Sequence, residues 1–336
     1  MTSSGVPGDW AVVIPTVGRP SLFRLLAALA AQDGPKPVEI VVVDDRPATT
    51  TGSGDGWLDV RIGRLEPTLL QTEGRGPAAA RNAGWLSTSS DWVVFLDDDV
   101  VVTPGWAAAL QADLERCEPD VAACQGRISV PLPPDRLPTD AERGIANLAD
   151  ATWITADMAV RRTALEQIGG FDERFRRAYR EDSDFAIRLL STGWRLARGH
   201  RSTLHPIRPS GEWDSIRAQA GNADDVLMRR LHGPGWRHAA GAPPGRLPWH
   251  VVTTGAAAVA TVAAVRRARR LAAIAGLTWV SLTAWFAALR IAPGPCTLGE
   301  IRRMVLTSAL IPPVAVGYRL LGDWRHRRAG TTEPPP

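Results

Sequence analysis

The sequence predicts an α/β fold: a mainly parallel, Rossmann-like sheet flanked by helices, followed by a hydrophobic helical region. Short apolar strands alternate with helical segments along the first half of the chain, which is typical of parallel sheets. These strands are nearly continuous apolar runs, as expected for strands buried on both faces. Beyond residue 246, apolar stretches approach the length that crosses a bilayer. The 336 residues suffice for one large domain with such an appendage.

Three buried strands are predicted within the first hundred residues. They are residues 10–15 (WAVVIP), 39–43 (EIVVV) and 92–96 (WVVFL), which are rich in β-branched or aromatic side chains. Residues 157–160 and 200–213 are less regular, and the latter predict a strand followed by a loop. The Thr-, Gly- and Ser-rich residues 47–59 predict a mobile loop.

Helices are predicted between these strands. Ser21 is suited to an N-cap, and leucines on one helical face follow it. Pro77 fits the first turn of a helix over AAARNAGWL. Residues 106–117 and the segment after Glu181 predict two further helices, and Gly169-Gly170 predicts a tight turn.

Two of the predicted strands end in acidic residues. Asp44 and Asp45 follow the second strand, and the Asp97–Asp99 triplet follows residues 92–96. Because ligands bind at the carboxyl ends of strands in such sheets, we expect both clusters at the same edge. A solvated acidic turn is the simplest explanation of three adjacent aspartates. Carboxylates this close repel unless a cation neutralises them, and Mg²⁺ or Mn²⁺ bridging to a diphosphate suits hard oxygen ligands.

Five ordered blocks resemble the family-2 glycosyltransferases, inverting enzymes with the nucleotide-diphospho-sugar transferase (GT-A) fold. The blocks are VVIPTVGRP, EIVVVDDRP, GPAAARNAG, VVFLDDDVVV and GGFDERF…EDSDFAIRL, within residues 10–215. Each block alone is a weak signal. Their order and spacing together make a specific one.

The resemblance implies a binding site for a nucleotide-diphospho-sugar donor. Asp44 or Asp45 contacts the base, Asp98 faces the ribose and sugar, and Asp97 is supportive. The residues implied to bind the donor are Pro15, Thr16, Asp44, Asp45, Arg81, Asn82, Asp97 and Asp98.

The resemblance also implies a metal cofactor, Mn²⁺ or Mg²⁺. Asp99 is its implied ligand, and His205 resembles a histidine that approaches the metal or diphosphate late in the domain. His200 competes with His205 for this role, and either histidine is equally well explained as an ordinary hydrogen-bonded residue.

Asp182 is the implied catalytic base, which takes the proton of the acceptor hydroxyl. Glu181 is expected to orient Asp182 or to bind the acceptor, and Trp153 is a candidate for stacking on a sugar or acceptor. The alternative for the acidic block at Glu181 is a helix N-terminus whose dipole favours carboxylates.

Composition excludes some classes of function. The net charge is +4, and with a single lysine, Lys36, the arginine excess is explained by coding bias, so nucleic-acid binding is not predicted. Cys117, Cys124 and Cys296 lack metal-ligand spacing, and their odd number suits a reducing compartment rather than a disulfide framework. Residues 1–10 show no secretion signal.

The domain prediction places a catalytic domain at residues 1–245, a hydrophobic helical region at 246–328 and a disordered tail at 329–336. Residues 271–289 carry no charge, while residues 304–322 are interrupted by Pro312-Pro313. Soluble helices packed on the domain, interfacial helices and membrane spans all stay open. Membrane contact, with the catalytic domain on the cytoplasmic face, is expected because nucleotide sugars are cytosolic and arginines flank the apolar stretches.

The predicted function is therefore a metal-dependent inverting glycosyltransferase that moves a hexose to an acceptor hydroxyl, in a lipid-linked or cell-envelope glycan. A nucleotidyltransferase is disfavoured because no glycine-rich, lysine-bearing phosphate loop is present near the N-terminus. An inactive relative acting as a membrane scaffold or nucleotide sensor is the remaining alternative, and the intact carboxylates argue against it.

Overall fold

The computed structural model describes residues 8–48 and 65–329. Most of the predicted loop at 47–59 and all of the tail after residue 329 lie outside these ranges. In chain order the strands and helices are β1 (Trp10–Thr16), α1 (Ser21–Ala30), β2 (Glu39–Asp44), β3 (Thr68–Gln71), α2 (Pro77–Ser87), β4 (Trp92–Leu96), β5 (Val101–Val102), α3 (Trp106–Glu115), β6 (Val121–Ser129), α4 (Asp140–Ala146), β7 (Asp157–Arg161), α5 (Arg162–Ile168), α6 (Glu181–Ser191), β8 (Arg195–Leu204), α7 (Asp214–Arg217), α8 (Gly221–His232), α9 (Trp236–Ala239), α10 (Leu247–Val265), α11 (Arg269–Ile291) and α12 (Leu298–Arg325).

The described chain divides into two compact units. The sheet unit contains the chain up to Pro131 and Ala146–Pro206, and the helical unit contains Leu132–Ile145 and the chain from Ile207 onward. The domain boundary placed at residue 245 stays a prediction.

The sheet unit is built on one eight-stranded mixed sheet, in the order β3-β2-β1-β4-β7-β6-β8-β5. The pairs β1–β2, β1–β4, β2–β3 and β6–β8 are parallel. The pairs involving β7, and the pair β5–β8, are antiparallel. The half that carries the predicted acidic clusters is thus parallel, and its carboxyl ends share one edge.

Both faces of the sheet are covered, which explains why its central strands are continuously apolar. Alternate residues of β1 and β4 pack into separate hydrophobic clusters, with Val12 and Val94 in one and Val13 and Phe95 in the other. Helices α1 and α3 contribute to the first cluster, and α2, α5 and α6 to the second. The predicted fold class is confirmed.

Strands β3 and β6 were not predicted. Strand β6 contains Gln125, Gly126 and Arg127, so it lacks the apolar run of the other central strands. It forms because β7 and β8 lie on either side of it and supply hydrogen-bond partners along both edges. This is a tertiary effect that residue pattern does not report.

Three helices of the helical unit are long and apolar enough, by length and composition, to cross a membrane. They are α10, α11 and α12, and the count covers residues 8–48 and 65–329 alone. Contacts hold all three together within this unit. Pro312 and Pro313 lie inside α12 without ending it.

Candidate active site

Thr16 and Asp98 join two neighbouring parallel strands at the carboxyl edge of the sheet. The register pairs Val13 of β1 with Phe95 of β4, which brings the residues just after each pair together. The Oγ1 of Thr16 donates a 2.6 Å hydrogen bond to Oδ2 of Asp98. Thr16 also pairs with Asp44 of β2, so both predicted acidic clusters lie at this edge.

Arg19 neutralises the triplet from the loop that follows β1. Its Nη1 lies 2.7 Å from Oδ1 of Asp98 and 3.8 Å from Oδ2 of Asp99. Burial raises the pKa of Asp98, although the hydrogen bonds from Thr16 and Arg19 act in the opposite direction. Arg19 was not among the predicted site residues, although a cation directly after a strand that ends at the acidic edge is a usable signal.

Asp99 and His205 lie together because of strand pairing. Strand β5 pairs antiparallel with β8 through Val101 and Leu204, so the residues before β5 meet the residue after β8. The Nε2 of His205 is 3.6 Å from Oδ1 of Asp99, and both side chains are buried. His200 instead points to Asp113 with its side chain 66% exposed. Of the two histidines, only His205 is seen beside the triplet.

A buried ion-pair network holds β8 in this position. The side chain of Arg201 has no solvent exposure, and its Nε donates a 2.7 Å hydrogen bond to Oδ1 of Asp157 on β7. Its Nη1 lies 3.3 Å from Asp113 of α3. Thr203 also donates to Asp157. The network fixes β8, the strand that His205 directly follows.

Asp44 and Asp45 have different surroundings. The carboxylate of Asp44 accepts hydrogen bonds from the guanidinium of Arg46 at 2.9–3.1 Å. The carboxylate of Asp45 accepts from Oγ1 of Thr72 at 2.8 Å and from the backbone nitrogen of Gly76 at 2.9 Å. Asp45 therefore holds the start of α2 against the sheet edge. Which of the pair contacts a base stays a prediction.

Arg81 connects the triplet to the acidic block of α6. Its Nη2 donates to Oδ1 of Asp97 at 2.9 Å, and its Nη1 donates to Oε1 of Glu181 at 3.1 Å. Burial lowers the pKa of Arg81, but Asp97 and Glu181 outweigh it, so the net pKa lies above its ordinary value and the group stays charged. The bridge brings together residues far apart in sequence.

Glu181 and Asp182 begin α6, and their pKa values are raised. Burial and the neighbouring Asp182 raise the pKa of Glu181 to about 8, although Arg81 opposes this. The Oε2 of Glu181 is buried without a partner. Burial also raises the pKa of Asp182, against the effects of its bond from the Ser183 nitrogen and of Arg81. Arg180, just before them, has a φ of 77°, a strained conformation typical of functional sites.

Asn82 holds the Gly169-Gly170 turn rather than projecting a free amide. Its Oδ1 accepts from the Phe171 nitrogen at 2.8 Å, and its Nδ2 donates to the Phe171 carbonyl at 2.8 Å. A Cβ on Gly170 would lie 2.5 Å from Oδ1 of Asn82. The role of Asn82 in shaping the nucleotide pocket stays a prediction. Because Asn82 bonds the turn, that role would be exerted through the position of the turn.

Two further predicted residues have less defined surroundings. Trp153 has a φ of 62°, donates its backbone nitrogen to the Gln125 side chain and packs against the second hydrophobic cluster. Pro15 is half-buried and pairs with Val43 in the sheet. Acceptor stacking by Trp153 and nucleotide contact by Pro15 stay predictions.

Asp99 and His205 suit a divalent ion that takes its other ligands from substrate. Within the described ranges, no group of three or more His, Cys, Asp and Glu side chains is arranged to hold a metal. One carboxylate and one imidazole are nevertheless a reasonable set, because such ions bind through one or two protein carboxylates plus phosphates and water. The imidazole favours a transition-metal ion such as Mn²⁺ over Mg²⁺.

The sheet unit has the α/β sheet and the acidic triplet at a strand end that the resemblance to glycosyltransferases predicts, and Arg81 bridges the triplet to a second acidic pair. Family models agree: Glycosyl transferase family 2 matches residues 11–169, and Glycosyl transferase family group 2 matches residues 92–319. The chain belongs to the family-2 glycosyltransferases, and it is an enzyme that transfers a glycosyl group.

Relatives share this assignment. The chain is 27% identical to the pre-mycofactocin glycosyltransferase of Mycobacterium tuberculosis, over 97% of this chain and 73% of that protein. Among solved structures, the mannosyltransferase PcManGT from Pyrobaculum calidifontis, in complex with GDP-Man and Mn²⁺, has a TM-score of 0.54 at 22% identity. That match covers 93% of this chain and 87% of the other. It supports the fold.

Proposed function

We propose that this glycosyltransferase is metal-dependent and inverting, moving a hexose from a nucleotide-diphospho-sugar to an acceptor hydroxyl. The observation that carries the proposal is the Arg81 bridge between Asp97 and Glu181. The bridge connects two places: the sheet edge, where a donor would bind, and the start of α6, which carries a candidate base.

Asp182 is the base in this proposal. Its raised pKa makes its carboxylate a better proton acceptor than an ordinary aspartate, which suits abstraction from a hydroxyl. Glu181, with a pKa near 8, is largely protonated at neutral pH. Its neutral form would hold Asp182 without adding a second full charge. Direct attack by the hydroxyl on the far side of the sugar inverts the anomeric carbon.

The triplet and its neighbours form the donor side. Thr16 and Arg19 orient the carboxylate of Asp98, which would face the ribose and sugar. Asp99 and His205 would hold the metal. When bound, the metal neutralises the charge that develops on the leaving diphosphate. The Pyrobaculum structure contains GDP-Man and Mn²⁺, so this pair is the first to test.

We also propose membrane contact, with the catalytic unit in the cytoplasm. The apolar helices α10 and α11 support it, with exposed side chains along much of both. A lipid-linked or cell-envelope glycan would then be the acceptor. The M. tuberculosis relative is named for pre-mycofactocin, which therefore belongs in the acceptor panel as a competing class.

The test is a donor screen on the full chain. Thermal shift with GDP- and UDP-sugars, each with Mn²⁺ or with EDTA, should show one donor raising the melting temperature only with the metal. Donor hydrolysis and the anomeric configuration of the transferred sugar are then measured with that donor. Metal-independent turnover, or retention of configuration, would contradict the proposal.

A further inference from the structure

The helical hairpin formed by α10 and α11 has an apolar surface that the rest of the described chain leaves uncovered. In α10 and in α11, only 17% of the apolar 18-residue stretch is buried, whereas 33% of the corresponding stretch of α12 is buried. Large exposed apolar side chains of the hairpin are Val251, Val252, Val259, Val262, Val265, Leu271, Ile274, Leu277, Val280, Trp285 and Leu289. Exposed apolar surface of this extent marks an interaction site.

The end of α11 is tied to a polar segment of the same unit. The Nη2 of Arg290 lies 2.7 Å from Oδ2 of Asp140, and its Nη1 donates to Oγ1 of Thr307 at 2.8 Å. Arg143 donates to the carbonyl of Arg290 at 2.8 Å. The segments directly before and after residues 132–145 in the sequence both belong to the sheet unit. The end of α11 therefore lies on the same side of any membrane as residues 132–145.

Helix α12 is held at its first end by polar segments of the helical unit. Glu300 accepts a 2.9 Å hydrogen bond from the backbone nitrogen of Asp140, and Arg302 pairs with Glu212 at 3.0 Å. Both partners belong to chain segments rich in charged side chains.

The last turns of α12 are held by α8. A Cβ on Gly322 would lie 2.7 Å from the Cα of Ala223, and Asp323 lies 3.9 Å from Arg230. Residues 207–232 are too charged to cross a bilayer, so both ends of α12 lie on one side. These contacts favour an α12 that stays on one side of a membrane.

The turn between α10 and α11, which we call the arginine tip, carries four exposed cations. Arg266, Arg267, Arg269 and Arg270 are all exposed, and Arg267 forms the turn with a φ of 56°. From Leu247 to Gly299 the sequence has no acidic residue to pair with them. Inserting the hairpin across a bilayer would move four arginines through the hydrocarbon, at a cost of about 2.5–3.5 kcal/mol each at its centre.

A shallow apolar groove lies beside the arginine tip. Its volume is about 380 Å³, and Val259, Val262 and Leu271 line it, with Arg266 at the same groove. Apolar walls next to a guanidinium suit an acyl chain with a phosphate headgroup. The combination of an apolar face, a cationic tip and no acidic residues fits an anionic lipid surface.

We propose that the α10–α11 hairpin is a one-sided membrane anchor. It lies in the interface of an anionic membrane, with its apolar face among the acyl chains and the arginine tip on headgroup phosphates. Helix α12 stays with the protein as a brace. This extends the membrane contact proposed above and is independent of glycosyl transfer, because its tests measure binding and sidedness only.

The first experiment measures binding of the full chain to vesicles of phosphatidylcholine with or without phosphatidylglycerol. We expect salt-sensitive preference for the anionic vesicles. In the variant R266Q/R267Q/R269Q/R270Q, affinity should fall about fivefold for each arginine removed. The matched control R24Q/R116Q/R195Q/R198Q removes the same charge from exposed positions of the sheet unit and should bind within about twofold of wild type. Equal loss in both variants, or equal binding to both vesicles, would overturn the proposal.

The second experiment tests sidedness in a Cys296→Ser background. Arg267→Cys and, as a marker of the sheet unit, Ser191→Cys are exposed to a membrane-impermeant maleimide in inverted and right-side-out vesicles from expressing cells. Both positions should react in inverted vesicles only. Reaction of Arg267→Cys from the opposite side to the marker would show a spanning hairpin. A lipid-free dimer that protects the same cysteine would show a protein partner. Either result would overturn the anchor.

Discussion

Arg81 lies 3.1 Å from the carboxylate of Glu181 while its other amino group bonds Asp97 at 2.9 Å. One buried guanidinium thus spans from the end of β4 to the start of α6. The helix dipole favours the acidic residues at that start, but burial opposes their ionisation. The geometry makes Arg81 the group on which the alignment of both acidic clusters depends.

Replacing Arg81 by alanine should destabilise the fold and abolish transfer. The change removes the hydrogen-bond partner of the buried Glu181 carboxyl and the cation beside Asp97. Leaving a buried polar group without its partner costs about 1–3 kcal/mol in the free energy of unfolding. Arg75→Ala is the matched control, because Arg75 pairs with Glu173 while 62% exposed and should cost at most about 1 kcal/mol. Urea unfolding of both variants measures the difference. Equal costs would mean that the bridge is not a structural link.

Glu181 should make the stability of the chain pH-dependent. Its folded pKa near 8 exceeds its ordinary value of 4.5, so the folded chain retains a proton that the unfolded chain has lost between these pH values. The free energy of unfolding therefore falls as pH rises through this window. Glu181→Gln removes this contribution, so the variant should gain stability relative to wild type from pH 5 to pH 8. A stability difference that does not change with pH would contradict the raised pKa.

The two glycines of the turn at residues 169–170 should respond differently to alanine. Both have positive φ, 71° and 73°, so each substitution costs about 1–2 kcal/mol in backbone strain. A Cβ at Gly169 meets nothing within 4 Å, whereas at Gly170 it collides with Asn82 and with Nε1 of Trp85 at 2.7 Å. Gly170→Ala should therefore cost about 1–3 kcal/mol more than Gly169→Ala. Thermal unfolding of the pair gives the comparison, and equal costs would show that the turn adapts.

His205 and His200 should differ in their effect on metal use. His205→Ala removes an imidazole 3.6 Å from Asp99, so the Mn²⁺ concentration for half-maximal activity should rise at least about tenfold. His200→Ala, at an exposed position beside Asp113, is the control and should leave the Mn²⁺ concentration for half-maximal activity unchanged. The Mn²⁺-dependent thermal shift with a nucleoside diphosphate provides a second readout. Identical behaviour of the two variants would remove His205 from the proposed metal site.

Sequence pattern was most informative where the chain is apolar and parallel. Strands β1, β2 and β4 were predicted to within a residue or two, because burial on both faces leaves continuous apolar runs. The shared edge of Asp44 and the triplet followed from the rule for strand ends. Strand β6 was not predicted because its residues lack an apolar run, and it forms through hydrogen bonding to β7 and β8 on either side.

The contacts within the site were less accessible to sequence. The Arg81–Glu181 bond joins residues 100 positions apart, and no local signal indicates it. Arg19 was overlooked because a single arginine after a strand is common. The choice between His200 and His205 needed the register of β5 against β8. A strand of two residues is too short for sequence pattern to predict its pairing.

Replacing the Asp182 side chain tests the proposed inverting mechanism at its proton-transfer step. With the donor identified by thermal shift, Asp182→Asn should lower kcat for transfer by about 10²–10⁴ and leave the donor Kd within about twofold, because the carboxylate acts on the acceptor proton. Asp120→Asn, at a surface ion pair with Arg195, is the control and should keep wild-type kcat. An Asp182→Asn enzyme that keeps more than about a tenth of wild-type kcat would contradict the assignment of Asp182 as the base.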